Sequence, residues 1–366
     1  MKNQINKILD TLGAQGVAEG VFSGMSAGVS IGSKNSRFRS FTSAGKTRQD
    51  ALGTTVSEQT LFDLASLTKP LSTVLLTLQL IGEQKLDWHT PLDRFLELNY
   101  PQVELYHLLN HSSGLPAYHP YFRQFAPRQD KEARQRLFGL IRSEPLIYET
   151  GSGSLYSDLG FILLGKLIEQ CTGKDLDVLF KERIASPLSL EKDIFFHPIG
   201  GEQGPIEREV AASEACPWRG NILQGEVHDE HCWLMGGVAG HAGLFGSVKG
   251  VICLCEQILD LWKRESAQLP IESKILRYAL QTKQPHSDWC LGFDTPTPGG
   301  SSSGRYFSST SVGHLGFSGT SFWIDPVKEV IVVLLTNRIH PTRENTKIRS
   351  FRPLFHDRIM EIAIAR

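Results

Sequence analysis

An α/β fold of the α+β kind, an antiparallel sheet flanked by helices and joined to a mainly helical region, is what the hydrophobic pattern of this chain predicts. Three observations carry the prediction. Period-two alternation marks residues 25–44 after an opening helix, helical periodicity fills the middle, and alternation returns over 289–337 before a closing helix. Strands from both ends then share one sheet. The mixed region is therefore discontinuous, built from residues 1–65 and 240–366, while 66–239 form the helical region with long surface loops and a candidate site lies between the two.

Taken in order, residues 5–17 read as an amphipathic helix, and 25–31 with 37–44 as two strands joined by the turn-rich Gly32-Ser33-Lys34-Asn35-Ser36. Residues 68–80 form an apolar helix, and 86–188 carry helical periodicities broken by Pro, Gly and Asn. Residues 198–225 have no clear period and are rich in Gly, Pro and charge, which predicts a long surface loop. Residues 248–264 return as an amphipathic helix. Segments 289–293, 305–315, 318–325 and 330–337 alternate like antiparallel strands, with Gly299-Gly300-Ser301-Ser302-Ser303-Gly304 as a flexible hairpin loop. A helix over 343–365 closes the chain.

The chain has 366 residues, 40% of them hydrophobic and 21% charged, enough for a large core. A formal charge of −1 gives no electrostatic basis for binding nucleic acid or an anionic membrane. Residues 1–20 lack the continuous apolar core of a signal peptide, and no run approaches the roughly 18 apolar residues of a membrane span. As it stands the chain is expected in the cytoplasm, or in the periplasm or outside the cell if a leader has been removed. Its six cysteines have no framework spacing, so free thiols are expected.

The chemistry concentrates in three short elements. In Ser66-Leu67-Thr68-Lys69 a hydroxyl and an amine stand three residues apart and share a helix face, so Lys69 can reach the Ser66 oxygen. In the first turn of a helix, free N–H groups and the dipole favour developing negative charge at Ser66, and Pro70 is tolerated there. Tyr156-Ser157-Asp158 precedes the apolar helix starting at Leu159, and His314-Leu315-Gly316 lies between two candidate strands.

In this order the three elements resemble the active-site motifs of the serine β-lactamase and penicillin-binding-protein superfamily. The resemblance covers residues 62–338 and is closest to the branch of class C β-lactamases, D-alanyl-D-alanine carboxypeptidases and related esterases. Flanking stretches strengthen it: Leu61-Phe62-Asp63-Leu64-Ala65, His107 to Pro116, and Gly236 to Phe245. It implies a β-lactamase/transpeptidase-like fold and acyl transfer through an ester on Ser66. Lys69 is the first candidate base, provided its pKa is depressed, and Tyr156 is implied as the proton relay. Asp158 stands where many members carry Asn. It either pairs with Lys69, raising the lysine pKa and shifting the burden to Tyr156, or caps the following helix. His314 replaces a common lysine and, partly protonated near neutrality, would favour a substrate carboxylate less, which points toward esterase-like action. Arg338 either restores a cation or is a surface arginine. Gly316 would admit the substrate backbone, and the N–H groups of Ser66 and Phe317 would form the oxyanion hole.

The resemblance thus implies a serine hydrolase acting on a small-molecule ester, a D-amino-acid peptide or a β-lactam, without a cofactor. The alternatives are a dedicated β-lactamase and a non-catalytic penicillin-binding or sensor protein. Glu226-Val227-His228-Asp229-Glu230-His231-Cys232 gathers nitrogen, oxygen and sulfur ligands, but on a loop without a distant partner set, so no metal is expected and His228 and Asp229 read as lining or structural groups. Gly236, Gly237, Gly240, Gly243 and Gly246 lack the Gly-Lys-Ser/Thr of a P-loop and read as close packing. His111 and His241 read as orienting hydrogen-bonding groups.

Overall fold

The structure is a computed structural model that describes all residues except 99, 201–203, 285–286 and 366. Five antiparallel strands form the main sheet, in the spatial order Phe38–Gly45, Gly24–Ile31, Val330–Thr336, Ser321–Asp325, Val312–Leu315. One pairing joins the two ends of the chain, with Met25 opposite Thr336 and Ile31 opposite Val330. Alternation sets the faces. Val330, Val332 and Leu334 pack with the helices Lys2–Ala18 and Ile348–Ile364, whereas Ile331, Val333 and Leu335 join the cluster under the helix Val248–Trp262. Each such burial contributes about 1.5–3 kcal/mol. A one-residue slip would send all six to the wrong face, so the register is strongly specified. On Gly24–Ile31 the face under Val248–Trp262 carries small residues. Gly28 lies beside Ile252, and the Ser30 hydroxyl donates to Glu256 at 2.6 Å, so the helix can approach closely.

A smaller sheet places the candidate nucleophile. Phe62–Asp63 pairs with Leu244–Gly246, which also pairs with Ile194–Phe196. The Leu64 N–H then donates to the Leu244 carbonyl at 2.9 Å, immediately before the helical run that carries Ser66.

Several boundaries differ from the sequence reading, each for a local reason. Only Val312–Leu315 of the 305–315 segment is strand. The preceding residues are held by side chains instead, the Arg305 and Ser308 N–H groups donating to the carboxylates of Asp357 (2.6 Å) and Asp325 (2.8 Å). Residues 289–293 make a tight turn with isolated bridges, among them Trp289 opposite Asp294. The last helix begins at Ile348 rather than 343, because the carbonyls of Arg343 and Asn345 are taken by the Arg338 guanidinium. Of the expected surface loop 198–225, residues 201–203 lie outside the described residues, and Val210 to Glu214 are buried rather than on the surface. The Ala212 N–H donates to Thr47 O and the Ala215 N–H to Pro341 O, which draws this stretch into the interior. All six cysteines are free thiols. No helix among the described residues is long and apolar enough to cross a membrane.

Candidate active site

Ser66 lies in a tight 3-10 turn, Ala65–Leu67, followed by a wide π-helical turn, Lys69–Val74, and the α-helix Leu75–Gly82. The expected helix is thus three consecutive helical forms. Pro70 lacks an N–H, so the regular ladder is interrupted just after Ser66, and π turns of this kind recur at functional sites. Ala65, with φ of +48°, occupies the left-handed region, where a Cβ costs about 1–2 kcal/mol. Asp63 Oδ1 accepts the Ala65 N–H at 2.8 Å and holds it there. Strain immediately before a candidate nucleophile fits a site whose geometry is fixed by its surroundings.

Lys69 lies directly beneath, with no exposed surface. Its Nζ donates to Ser66 Oγ at 3.1 Å, to Asp158 Oδ1 at 2.6 Å and to the His241 carbonyl at 3.2 Å. Burial pushes the ammonium pKa down, but the Asp158 carboxylate and Tyr156 outweigh it and hold it above the ordinary lysine value. The depressed lysine expected of a ready base is therefore absent, and the ground state is an ion pair. Asp158 is released for this pairing because Ser157 caps the helix Asp158–Thr172, its Oγ accepting the Gly160 N–H at 3.1 Å. The Tyr156 ring centroid lies 4.8 Å from Lys69 Nζ. Burial pushes its phenol up to about 12, although the charge of Lys69 pulls the other way. His111 backs the ring at 4.7 Å, and its Nδ1 accepts the Ser157 N–H at 3.1 Å.

The third element forms the opposite wall. His314 is buried, its Nδ1–H donating to the Leu315 carbonyl at 2.9 Å, which leaves Nε2 as a lone pair without a partner among the described residues. Burial and the Lys69 charge bring its pKa down to about 3. A partly protonated histidine was expected; the structure holds a neutral one. At Gly316 a Cβ would strike Thr320 Oγ1 and the Leu64 carbonyl, so the protein's own packing requires this glycine. Neither the Ser66 nor the Phe317 N–H donates in any backbone bond of the described turns and loops. Arg338 is only 8% exposed and is not a surface arginine. Its Nε donates to Phe317 O (2.8 Å) and its Nη1 to the carbonyls of Arg343 (2.9 Å) and Asn345 (2.7 Å).

Ser66, Tyr156, Asp158, His314, Gly316, Phe317 and Arg338 all line one cleft of about 540 Å³. The side chains of the 226–232 run diverge around it. The His228 Nε2–H donates to Glu214 at 3.0 Å, His231 Nε2 accepts the Phe122 N–H at 3.4 Å, and Cys232 Sγ donates to the Ala242 carbonyl at 3.2 Å. Asp229 accepts from His241 Nε2 at 2.8 Å. Burial pushes the Asp229 carboxyl up, but the charge and hydrogen bond of His241 hold it well below the usual range. Among the described residues no group of three or more His, Cys, Asp or Glu is arranged to hold a metal ion. The glycine-rich segment passes tightly between helices, since a Cβ at Gly240 would meet the Phe161 carbonyl and Gly165. That passage carries the His241 carbonyl to Lys69.

Sequence reading missed Asp63, Glu214, Arg343, Arg349 and Arg352. The last three line the cleft, and Glu214 supports it through Arg343. Glu214 and Arg343 are 129 residues apart in the chain, so no local pattern marks that pair.

A family model described as Beta-lactamase matches residues 9–353. The N-acetylmuramyl-L-alanine amidase of Bacillus subtilis (strain 168) is 30% identical over 310 residues, which cover 77% of this chain and 69% of the amidase. A putative D-alanyl-D-alanine carboxypeptidase of Salmonella agona (strain SL483) is 28% identical over 316 residues, covering 79% of this chain and 72% of the relative. Among solved structures, EstCE1, described as a hydrolase with promiscuous acyltransferase activity, superposes with a TM-score of 0.75 at 19% identity, covering 98% of this chain and 99% of that one. An octameric penicillin-binding protein homologue from Pyrococcus abyssi gives 0.72 at 20% identity, covering 94% and 75%. At these identities the two structures establish the fold.

Proposed function

Because the chain belongs to the Beta-lactamase family, we propose that it is a serine hydrolase that forms an acyl-enzyme on Ser66 and cleaves an ester or amide. The observation that carries this reading is the 3.1 Å hydrogen bond from the buried Lys69 to Ser66 Oγ, inside a cleft beside the Ser66 and Phe317 N–H groups, neither of which donates in a backbone bond of the described turns and loops. Function has to be argued from the site, because one fold supports several substrates.

Proton balance decides the roles. A phenol at about 12 is ionised in roughly one molecule in 100,000 at pH 7, a cost of about 7 kcal/mol, so Tyr156 is a poor ground-state base. Within the Lys69–Asp158 pair, by contrast, one proton can pass from the ammonium to the carboxylate and leave a neutral acid and a neutral amine. That amine takes the Ser66 proton as Oγ attacks the carbonyl. The negative charge that develops on the carbonyl oxygen is met by the N–H groups of Ser66 and Phe317. Tyr156, kept protonated by burial, gives its proton to the leaving nitrogen or oxygen and recovers one from the Lys69–Asp158 pair. Water then releases the acyl group along the same path in reverse.

An anionic group on the substrate is supported by Arg338, Arg349 and Arg352 along the wall nearest the last helix. Burial, then the charge of Arg338, brings Arg352 down to about 9. The neutral His314 contributes an acceptor there, so the arginines take over the role of a lysine. A D-amino-acid peptide with a free carboxylate and a carboxylate-bearing ester both fit, and the names of the relatives lean toward cell-wall peptides. One observation favours a second reading, a protein that keeps its adduct: a lysine held as a cation by Asp158 assists deacylation poorly.

The test is release of p-nitrophenol from acetate and butyrate esters and opening of a penicillin, with wild type and Ser66→Ala. Ser66-dependent product is expected, and Ser66→Ala should lose about 1,000-fold or more. An undiminished rate in Ser66→Ala would overturn the proposal. One product per chain followed by arrest would favour the second reading.

A further inference from the structure

Two N–H groups that must meet one oxygen belong to distant parts of the chain. Ser66 stands at the head of a helical run and Phe317 in the turn between two strands. His228 touches the surroundings of both. Its backbone N–H donates to Asp63 Oδ2 at 2.7 Å, and the other oxygen of that carboxylate accepts the Ala65 N–H next to Ser66. Its ring stacks on Phe317, with centroids 5.5 Å apart and planes 22° apart. The Ser318 hydroxyl donates to the Asp63 carbonyl at 2.7 Å and closes the loop of contacts.

His228 is itself held by buried charge. Its Nε2–H donates to Glu214, which also accepts Arg343 Nε at 2.8 Å and Nη2 at 2.5 Å, while Nη2 reaches Glu230 at 2.6 Å. The Arg343 carbonyl accepts from Arg338, whose guanidinium lies 4.6 Å from the Phe317 ring centroid. Both glutamates are almost fully buried. Burying such charges is costly, and isolated ion pairs seldom add net stability, so a role in fixing geometry is the better account of this cluster. We propose that His228, supported by Glu214 and Arg343, is a positioning unit that fixes the Ser66 and Phe317 N–H groups relative to each other. None of the three exchanges a proton with substrate. The inference rests on the acyl-transfer reading above for its consequence in the rate, but its geometry stands apart from that reading.

Removing Glu214 or Arg343 would strand a buried charge, so His228 is the residue to change. His228→Gln removes the stacked ring, and His228→Phe restores it without the ring nitrogens. With p-nitrophenyl butyrate, His228→Gln should lose about tenfold or more in kcat with KM within about twofold, and His228→Phe, which restores the stacked ring but cannot donate to Glu214, should recover part of that loss. Amide hydrogen exchange, read on Ser66→Ala as well, should rise in His228→Gln at 62–67 and 314–319 together. Exchange that rises only across 226–232, or a kcat unchanged in His228→Gln, would overturn the proposal. Paired exchange changes in a protein whose wild type shows no Ser66-dependent turnover would uphold the positioning unit and remove the acyl-transfer reading instead.

Discussion

At the scale of single residues, the site turns on Asp158. Its 2.6 Å contact with Lys69 holds the lysine pKa up and, on the proposed mechanism, makes the pair the unit that accepts a proton. Because that acceptor is the pair rather than Lys69 alone, the pH profile belongs to the pair. On the proposed mechanism the wild type works with one proton on the pair and loses rate in acid only when a second is added. In Asp158→Asn the lysine loses its raising partner and its pKa falls, yet it must now be free amine before Ser66 can attack. The acid limb of kcat/KM should therefore move to higher pH in Asp158→Asn, although the lysine has become less basic. A limb that stays in place or moves down would rule out the pair as acceptor. Ser66, Lys69, Tyr156 and His314 were legible in the sequence because each sits in a short motif. The charge state of His314 was not, since it is set by burial and by Lys69, 245 positions away in the chain.

At the scale of elements, the long helices and the five strands of the main sheet were legible from their periods, whereas their ends, the turn at 289–293 and the short strands of the smaller sheet were not. Ends depend on side chains from elsewhere: Ser157 caps the helix that frees Asp158, and Arg338 delays the last helix to Ile348. The 198–225 stretch looked like surface because its composition is polar, but Glu214 is paired inside by Arg343. The glycine-rich segment gives a direct test. Gly240→Ala would drive a methyl group into the Phe161 carbonyl and Gly165, and overpacking of this sort costs about 1–3 kcal/mol. It should lower the denaturant midpoint and, by displacing the His241 carbonyl from Lys69, reduce kcat. Unchanged stability and rate would show that the passage between the helices is looser than the contacts require.

For the whole molecule, buried and half-buried histidines set the response to acid. Burial lowers the pKa of His107, His111, His197, His231, His314, His340 and His356, with His314 at about 3 and His356 at about 4. The unfolded chain binds protons at these residues near pH 6.5 while the folded chain does not. Stability therefore falls as pH drops below 6.5, by up to about 2 kcal/mol at pH 5 for a residue such as His314. Asp63, Asp177 and Asp294, raised by burial, act in the opposite direction over the same range but are outnumbered. The melting temperature should fall between pH 7 and pH 5, and fall less in His356→Gln, whose ring lies on the last helix away from the reacting groups. A melting temperature that rises toward pH 5 would contradict this balance. None of it was legible from a net charge of −1, which records how many groups there are but not which are buried.

The central claim is a covalent bond to Ser66, and the most direct measurement is peptide mass mapping of protein quenched in acid during reaction with p-nitrophenyl butyrate or a penicillin. An acyl increment is expected on the peptide that contains Ser66 and none in Ser66→Ala. Turnover without any adduct, or an adduct on another peptide that persists in Ser66→Ala, would contradict it.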